Sequence, residues 1–360
     1  MVDLCVTGKR MNHNTRQLHE MGQRLWLDNI TRELLMSGTL ARYIAEMSVT
    51  GLTSNPTIFE RAIGNGAIYD DAIRKLNARG LTGEDLSFEL ALQDLTQAAD
   101  LFQPMFDASI GADGWVSLEV SPLLANDTAN TIKADSQLRA LALRSNLFIK
   151  NPGTPAGIPA IEQSIFNGIP INVTLLFSRE HYVAVAEAYL RGIERRLAAG
   201  LDPISESVAS LFISRWDVTA KERISPQFHN RLGIAIAMRT YKAYRDLLAS
   251  ERWRKLAAAG ARPQRLLWAS TGTKDPAARD TLYVEALTAP DTINTIPEKT
   301  LLAFVDHGRV DAAMPIDGGY AEAVLAEFRR EGIEAFALSW GALLSRITEK
   351  TSQPPTARSA

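Results

Sequence analysis

Lys150 closes the run Asn146-Leu147-Phe148-Ile149-Lys150, so that three apolar residues lead directly to an ammonium group. That pattern places a lysine at the exit of a buried strand. An amine that loses its charge in such a setting can attack a ketone and form a Schiff base, and the competing reading is a solvated lysine at a strand end. Lys75, Lys133, Lys242, Lys255 and Lys299 stand on helix-like or polar segments, where a solvated face explains them. In Val116-Ser117-Leu118-Glu119-Val120-Ser121-Pro122, strand alternation sets Ser117 and Glu119 on one face and Val116, Leu118 and Val120 on the other. A carboxylate on the inner face of a closed sheet either serves as a general acid or base or is held in an ion pair, with Lys150 or Arg215 as its partner. Asp28, between Leu27 and Ile30, is a second acid/base candidate, unless it caps a helix beginning near Thr31.

Other polar residues end apolar runs in the same way: Asn55 in Thr53-Ser54-Asn55-Pro56, Asn172 and Thr174 in the fifth run, Ser210 and Arg215 in the sixth, and Ser270 in the seventh. Asn55 before Pro56 also suits a turn. The planar fork of Arg215 suits a phosphate group, against which stands a structural pair with Asp217. Lys274 is a possible second cation, unless it pairs with Asp275 on a solvated loop. Gly64-Asn65-Gly66 is assigned to a turn.

To bring these residues onto one rim, the chain must end several strands on the same side. Eight short β-prone runs recur: 25–29, 50–54, 115–120, 147–150, 171–175, 208–214, 265–270 and 292–295, the last being the weakest. Helical periodicity fills the segments between them, as expected when crossover helices join parallel strands. Eight such repeats predict a (β/α)8 TIM barrel, whose active site sits at the carboxyl ends of the strands. The stretch between the second and third runs is too long for one crossover and predicts two or three helices, over 69–78 and 87–106. Further helices are predicted over 181–197, 226–251, 320–331 and 335–350, with Asp317-Gly318-Gly319 as a start turn. The expected organisation is an N-terminal extension over 1–20, one barrel domain over 21–350 that includes the C-terminal helices, and a disordered tail over 351–360.

Composition closes off other classes. Of 360 residues 46% are hydrophobic and 22% charged, which excludes a wholly disordered chain. The net charge of −2 supplies no field for gripping nucleic acid, so any anion site must be local. Cys5 is the only cysteine and cannot form an internal disulfide, no apolar run reaches membrane-span length, and the first residues lack an apolar signal core. A cytoplasmic protein is expected.

The motifs Gly51-Leu52-Thr53-Ser54-Asn55-Pro56-Thr57-Ile58-Phe59, Leu118-Glu119-Val120-Ser121-Pro122 and Asn146-Leu147-Phe148-Ile149-Lys150 resemble transaldolase. Pro152-Gly153-Thr154-Pro155-Ala156-Gly157, Ile171-Asn172-Val173-Thr174-Leu175-Leu176-Phe177-Ser178 and Ser210-Leu211-Phe212-Ile213-Ser214-Arg215 follow in that family's order. The resemblance runs from about Leu25 to about Gly308 and is closest to the longer bacterial branch, related to the transaldolase portions of fusions with glucose-6-phosphate isomerase.

The resemblance implies a barrel of the class I aldolase type. It also implies transfer of a dihydroxyacetone unit from fructose 6-phosphate or sedoheptulose 7-phosphate to an aldose phosphate, without metal or organic cofactor. By position in the motifs, Lys150 forms the Schiff base, Glu119 and Thr174 hold the proton-shuttling water, and Asp28 takes the C4 hydroxyl proton. Asn55 and Asn172 meet the dihydroxyacetone hydroxyls with Ser210 close by in the substrate site, and Arg215 meets the phosphate. Two positions depart from the pattern: many relatives carry a phosphate-site arginine near Ser270, where this chain offers Lys274, and Asn151 stands where an apolar residue is expected. The expected partners are sugar phosphates, with no nucleic acid or membrane, and the expected state is a monomer or homodimer. The rival readings are a fructose-6-phosphate-type aldolase and an inactive sugar-phosphate-binding barrel.

Overall fold

The computed structural model describes residues 11–330 apart from 55, 65 and 66. Eight parallel strands close into a barrel in sequence order: β1 Arg24–Asp28, β2 Val49–Thr53, β3 Trp115–Glu119, β4 Leu147–Pro152, β5 Ile171–Leu176, β6 Ser207–Phe212, β7 Arg265–Ala269 and β8 Thr292–Ile296. Each expected run holds a strand, including the weak eighth, which pairs with β1 from Arg24↔Ile293 to Leu27↔Ile296 and closes the ring. A (β/α)8 TIM barrel is therefore the fold.

Alternation along the strands sorts the chain into a filled interior and an outer shell. Trp26, Trp115, Phe148, Val208, Leu267 and Ile293 pack together within the ring, with Trp115 stacked on Phe148 at a centroid separation of 4.1 Å. Gly51 makes this possible, because a Cβ there would lie 2.5 Å from Trp26 Nε1 and 2.8 Å from the Trp115 carbonyl oxygen. The intervening residues, such as Leu25, Leu27, Val116, Leu118, Ile149 and Val173, join the larger core under the helices. The interior is thus apolar near the amino ends of the strands and polar near their carboxyl ends.

Between β2 and β3 run three α-helices among the described residues, Pro56–Gly64, Asp70–Ala78 and Gly83–Ala108. Buried Asp94 ties the last of these to the segment after β1, accepting from Tyr69 Oη at 2.7 Å and from Arg32 Nε at 2.9 Å. The helix His13–Glu20 precedes β1 with Leu18 fully buried, and Asn12 and Asn14 donate to carbonyls at the end of helix Glu298–His307. The predicted helix over 181–197 extends as Arg179–Ala198.

The continuous helix expected over 226–251 is corrected to a short turn, Pro226–Phe228, and two helices, Leu232–Ala249 and Glu251–Ala258. Its start is set by Asp217, whose carboxylate accepts from the backbone N–H groups of Leu232 and Gly233. Its end is set by Ser250, which leaves helical geometry and caps the next helix through Trp253 N. Near the end of the described chain, helix Ala321–Arg330 follows a turn in which Gly319 N donates to Asp317 Oδ1. The predicted helix over 335–350, the tail and the residues before Met11 lie outside the described residues. Among those described, no helix is long and apolar enough to cross a membrane.

Candidate active site

The carboxyl ends of β3, β4 and β5 lie side by side in register, with Glu119 opposite Lys150 and Lys150 opposite Asn172. All three therefore share the inner face. Lys150 Nζ lies 2.9 Å from Glu119 Oε2, and it donates to the backbone carbonyl of Ser54 at 3.2 Å. The lysine side chain is only 9% exposed and that of Glu119 19%, so the pair sits within the mouth of the barrel and not on its outer surface. The ion pair foreseen for Glu119 is present with Lys150. It does not oppose an acid/base role, since a proton can pass along the same contact.

Asp28 ends β1 on the same face. Burial pushes its carboxyl above the ordinary aspartate range, while the Lys150 ammonium, the Thr53 hydroxyl and the Lys274 ammonium pull it down and the Glu119 charge pushes it up. Thr53 Oγ1 donates to Asp28 Oδ1 at 3.2 Å and lies 2.8 Å from Thr295 Oγ1. Because a threonine hydroxyl carries one proton, Thr295 must donate to Thr53 when Thr53 donates to Asp28. The helix-capping alternative for Asp28 is overturned, since Thr31 itself accepts from Leu34 N and caps Arg32–Met36.

On β5, Asn172 is fully buried and tied on both sides: its Nδ2 donates to Ser117 Oγ at 3.1 Å and its Oδ1 accepts from Ser210 Oγ at 2.7 Å. Thr174 is likewise buried, and its Oγ1 has no hydrogen-bond partner among the described residues. The next residue, Leu175, has a positive φ of 60°, and the β5–β6 register shifts between Val173 and Leu176. Such an irregularity re-aims side chains locally, as bulges beside active sites do.

Arg215 is exposed and stands in the first turn of helix Ser214–Ala220, beyond the end of β6. The pairing with Asp217 is overturned, because buried Asp217 instead accepts from Leu232 N, Gly233 N and Tyr283 Oη. Ser270 has a positive φ of 56°, and its hydroxyl lies 3.1 Å from that of Ser214, so the ends of β6 and β7 meet beside Arg215. Lys274 is exposed, and Asp275, its alternative partner, is taken by Lys221 and Asn230, which leaves the Lys274 charge to act on Asp28. Asn55 lies outside the described residues.

Four residues that bind this site together were given no role from the sequence: Thr53, Ser54, Ser117 and Thr295. Ser54 Oγ donates to the Ser117 carbonyl at 2.8 Å and locks β2 onto β3 beside Lys150. The rule that found Glu119, a polar side chain at the end of a strand, also finds Thr53 and Thr295 once applied to β2 and β8.

The arrangement offers an amine, a carboxylate in contact with it, a second carboxyl group held uncharged more readily than usual, and amide and hydroxyl donors around them. These are the parts of imine chemistry on a polyhydroxy ketone. The family model described as Transaldolase/Fructose-6-phosphate aldolase matches residues 25–347. "Transaldolase 1" of Streptomyces avermitilis is 42% identical over 366 aligned residues, covering 95% of this chain and 97% of that protein. Transaldolases of Thermobifida fusca and of a Parafrankia species are 42% and 43% identical, each covering 94% of this chain and nearly all of their own length, 99% and 98%.

Proposed function

The chain belongs to the transaldolase/fructose-6-phosphate aldolase family and is a transaldolase, and from that premise we propose that Lys150 carries the dihydroxyacetone unit as a Schiff base. The donor is a ketose phosphate, fructose 6-phosphate or sedoheptulose 7-phosphate, and the acceptor an aldose phosphate, glyceraldehyde 3-phosphate or erythrose 4-phosphate. The observation that carries this reading is the 2.9 Å contact between Lys150 Nζ and Glu119 Oε2 inside the barrel mouth.

Proton transfer along that contact leaves a neutral amine, which attacks C2 of the ketose to give a carbinolamine. Glu119, with a water held by Thr174, then returns the proton to the departing hydroxyl, and water leaves as the iminium forms. Asp28 takes the proton of the C4 hydroxyl. The C3–C4 bonding electrons flow into the iminium, the aldose phosphate departs, and the enamine remains on Lys150. Burial favours the uncharged form of the Asp28 carboxyl, so the proton it gains is well held and ready to return to the acceptor's oxygen in the reverse sense.

Asn172 and Ser210, already joined to one another, hold the dihydroxyacetone hydroxyls, and the family motif gives Asn55 the same role. Neutral anchors suit an enamine that must wait for its acceptor without losing its carbon unit. Arg215 holds the substrate phosphate, with Ser270 beside it and Lys274 as a second cation. On this reading the iminium is the electron sink, so no metal or organic cofactor takes part, and the enzyme works in the cytoplasm as a monomer or homodimer.

Borohydride reduction in the presence of fructose 6-phosphate tests the assignment. The label is expected on the peptide containing Lys150, with none in Lys150→Met. Label on another lysine, or turnover in Lys150→Met, would refute it. Release of free dihydroxyacetone in place of transfer to erythrose 4-phosphate would move the activity to the aldolase side of the family.

A further inference from the structure

Asn151 follows Lys150 on β4 and, by alternation, points out of the barrel into the helical shell, where an apolar side chain is the ordinary occupant. It is fully buried. Its Nδ2 donates at 2.7 Å to Oδ2 of Asp135, on helix Thr128–Ala142, and Ser164, on helix Gly157–Phe166, donates to the same oxygen at 2.6 Å. Asp135 and Ser164 are also fully buried. The strand that carries Lys150, the helix before it and the helix after it are thus joined at one carboxylate oxygen.

This carboxylate meets no counter-charge among the described residues. On the surrounding elements Glu162 is taken by Arg191 and Arg195, Arg139 donates to the Arg144 and Leu147 carbonyls, Lys133 is exposed, and Lys150 faces Glu119 on the opposite side of the strand. Asp135 Oδ1 and Asn151 Oδ1 have no hydrogen-bond partner among the described residues. A buried, uncompensated carboxylate with an orphaned oxygen is costly, and an apolar trio would fill the same space more stably. What the polar trio gives, and an apolar one does not, is direction: the Asn151 hydrogen bond, made to a carboxylate that Ser164 also holds, fixes the rotation of β4 about its axis at the residue next to the amine.

We propose that Asp135 is a positioning residue for the reaction, which through Asn151 fixes from outside the barrel the main chain that aims Lys150. The proposal rests on Lys150 being the Schiff-base lysine. Lys150 already contacts Glu119 and the Ser54 carbonyl, and an error in the strand's rotation would move Nζ away from both. Burial pushes the Asp135 carboxyl up to about 6, with the Ser164 and Asn151 hydrogen bonds holding it down. Protonation therefore weakens the acceptor on which both donors converge, and the brace loosens on the acid side.

Two variants test this. Asp135→Ala removes the acceptor and is expected to lower kcat by roughly tenfold or more, since small misplacements of reacting groups carry losses of that order, with KM for fructose 6-phosphate within about twofold. The rate of borohydride trapping at Lys150 should fall in parallel. Asp135→Asn retains an oxygen that accepts both donors at every pH, so kcat near pH 8 should recover to within a few-fold of wild type, and the acid limb of kcat should be shallower around pH 6. Wild-type kcat and trapping rate in Asp135→Ala, with only a lowered Tm, would overturn the proposal by showing a purely structural brace. If Asp135→Ala does not fold, the Asp135→Asn profile decides, and a profile superimposable on wild type overturns it. Wild-type label on a lysine other than Lys150 would instead remove the underlying assignment, a result that the two Asp135 variants cannot imitate.

Discussion

Replacing Arg215 by alanine separates recognition of phosphate from chemistry. The side chain is exposed beyond β6, and the one acid near it in sequence, Asp217, is committed to Leu232 N, Gly233 N and Tyr283 Oη. Its removal therefore strands no buried carboxylate, and stability should stay within about 0.5 kcal/mol of wild type. A charge-assisted hydrogen bond from guanidinium to phosphate is worth roughly 1.5–3 kcal/mol. At about 1.4 kcal/mol for each factor of ten, kcat/KM for fructose 6-phosphate should fall by roughly ten- to a hundredfold. Unphosphorylated fructose never makes the contact, and its slow use should hardly change. The assay is transfer to erythrose 4-phosphate from each donor in turn, with thermal unfolding as the control. Equal losses on fructose and fructose 6-phosphate, or a large drop in Tm, would refute the assignment and make Arg215 part of the scaffold.

Lys274→Ala should give a smaller phosphate-dependent loss, and because its charge helps to hold the Asp28 carboxyl down, the acid limb of kcat should move to higher pH; an unmoved limb would show that the charge does not act at Asp28. Glu119→Gln should slow imine formation, whereas Asp28→Asn should permit borohydride trapping yet slow C3–C4 cleavage, each by roughly 10²–10⁴-fold in kcat. Raised KM with unchanged kcat in both would reassign them to binding. The folded-state value of Asp135, raised to about 6 from 3.8, means that the native protein binds this proton more tightly than the unfolded chain, so the stability it contributes is lost as pH rises through that interval. Asp135→Asn has no such loss, and its stability relative to wild type should improve by roughly 2 kcal/mol between pH 4.5 and 8, with a constant difference refuting the sign. Gly51→Ala forces a Cβ to within 2.5 Å of Trp26 Nε1 and should destabilise by about 1–3 kcal/mol in urea unfolding; no loss would show that the barrel interior is looser than described.

The parts of this molecule that follow from short stretches of chain were open to inference from the sequence, and the parts set by contacts across the barrel were not. Leu147-Phe148-Ile149-Lys150 contains its own evidence for a strand that carries a buried amine, although the strand runs on to Pro152, and Ser117 and Glu119 alternate with Val116 and Leu118 whatever the rest of the chain does. The start of helix Leu232–Ala249 is different: the apolar residues suggest helix from 226 onward, but the acceptor that fixes its first turn belongs to Asp217, fifteen residues earlier. Asp28 poses the same problem, because Thr31 and Asp28 are both acceptable caps by type and only the hydrogen bond to Leu34 N distinguishes them.

The Thr53–Thr295 contact exists only because β8 closes against β1 and brings residues 242 apart within 2.8 Å. Asn151 shows what such distance implies for function. Beside Lys150 it is a departure without an explanation, and only the folded shell supplies Asp135, on the helix before β4, to accept from it, with Ser164 on the helix after β4 donating to the same oxygen. The inner face of a barrel strand reveals which residue can react, but the outer face, packed by helices distant in sequence, decides how firmly that residue is aimed.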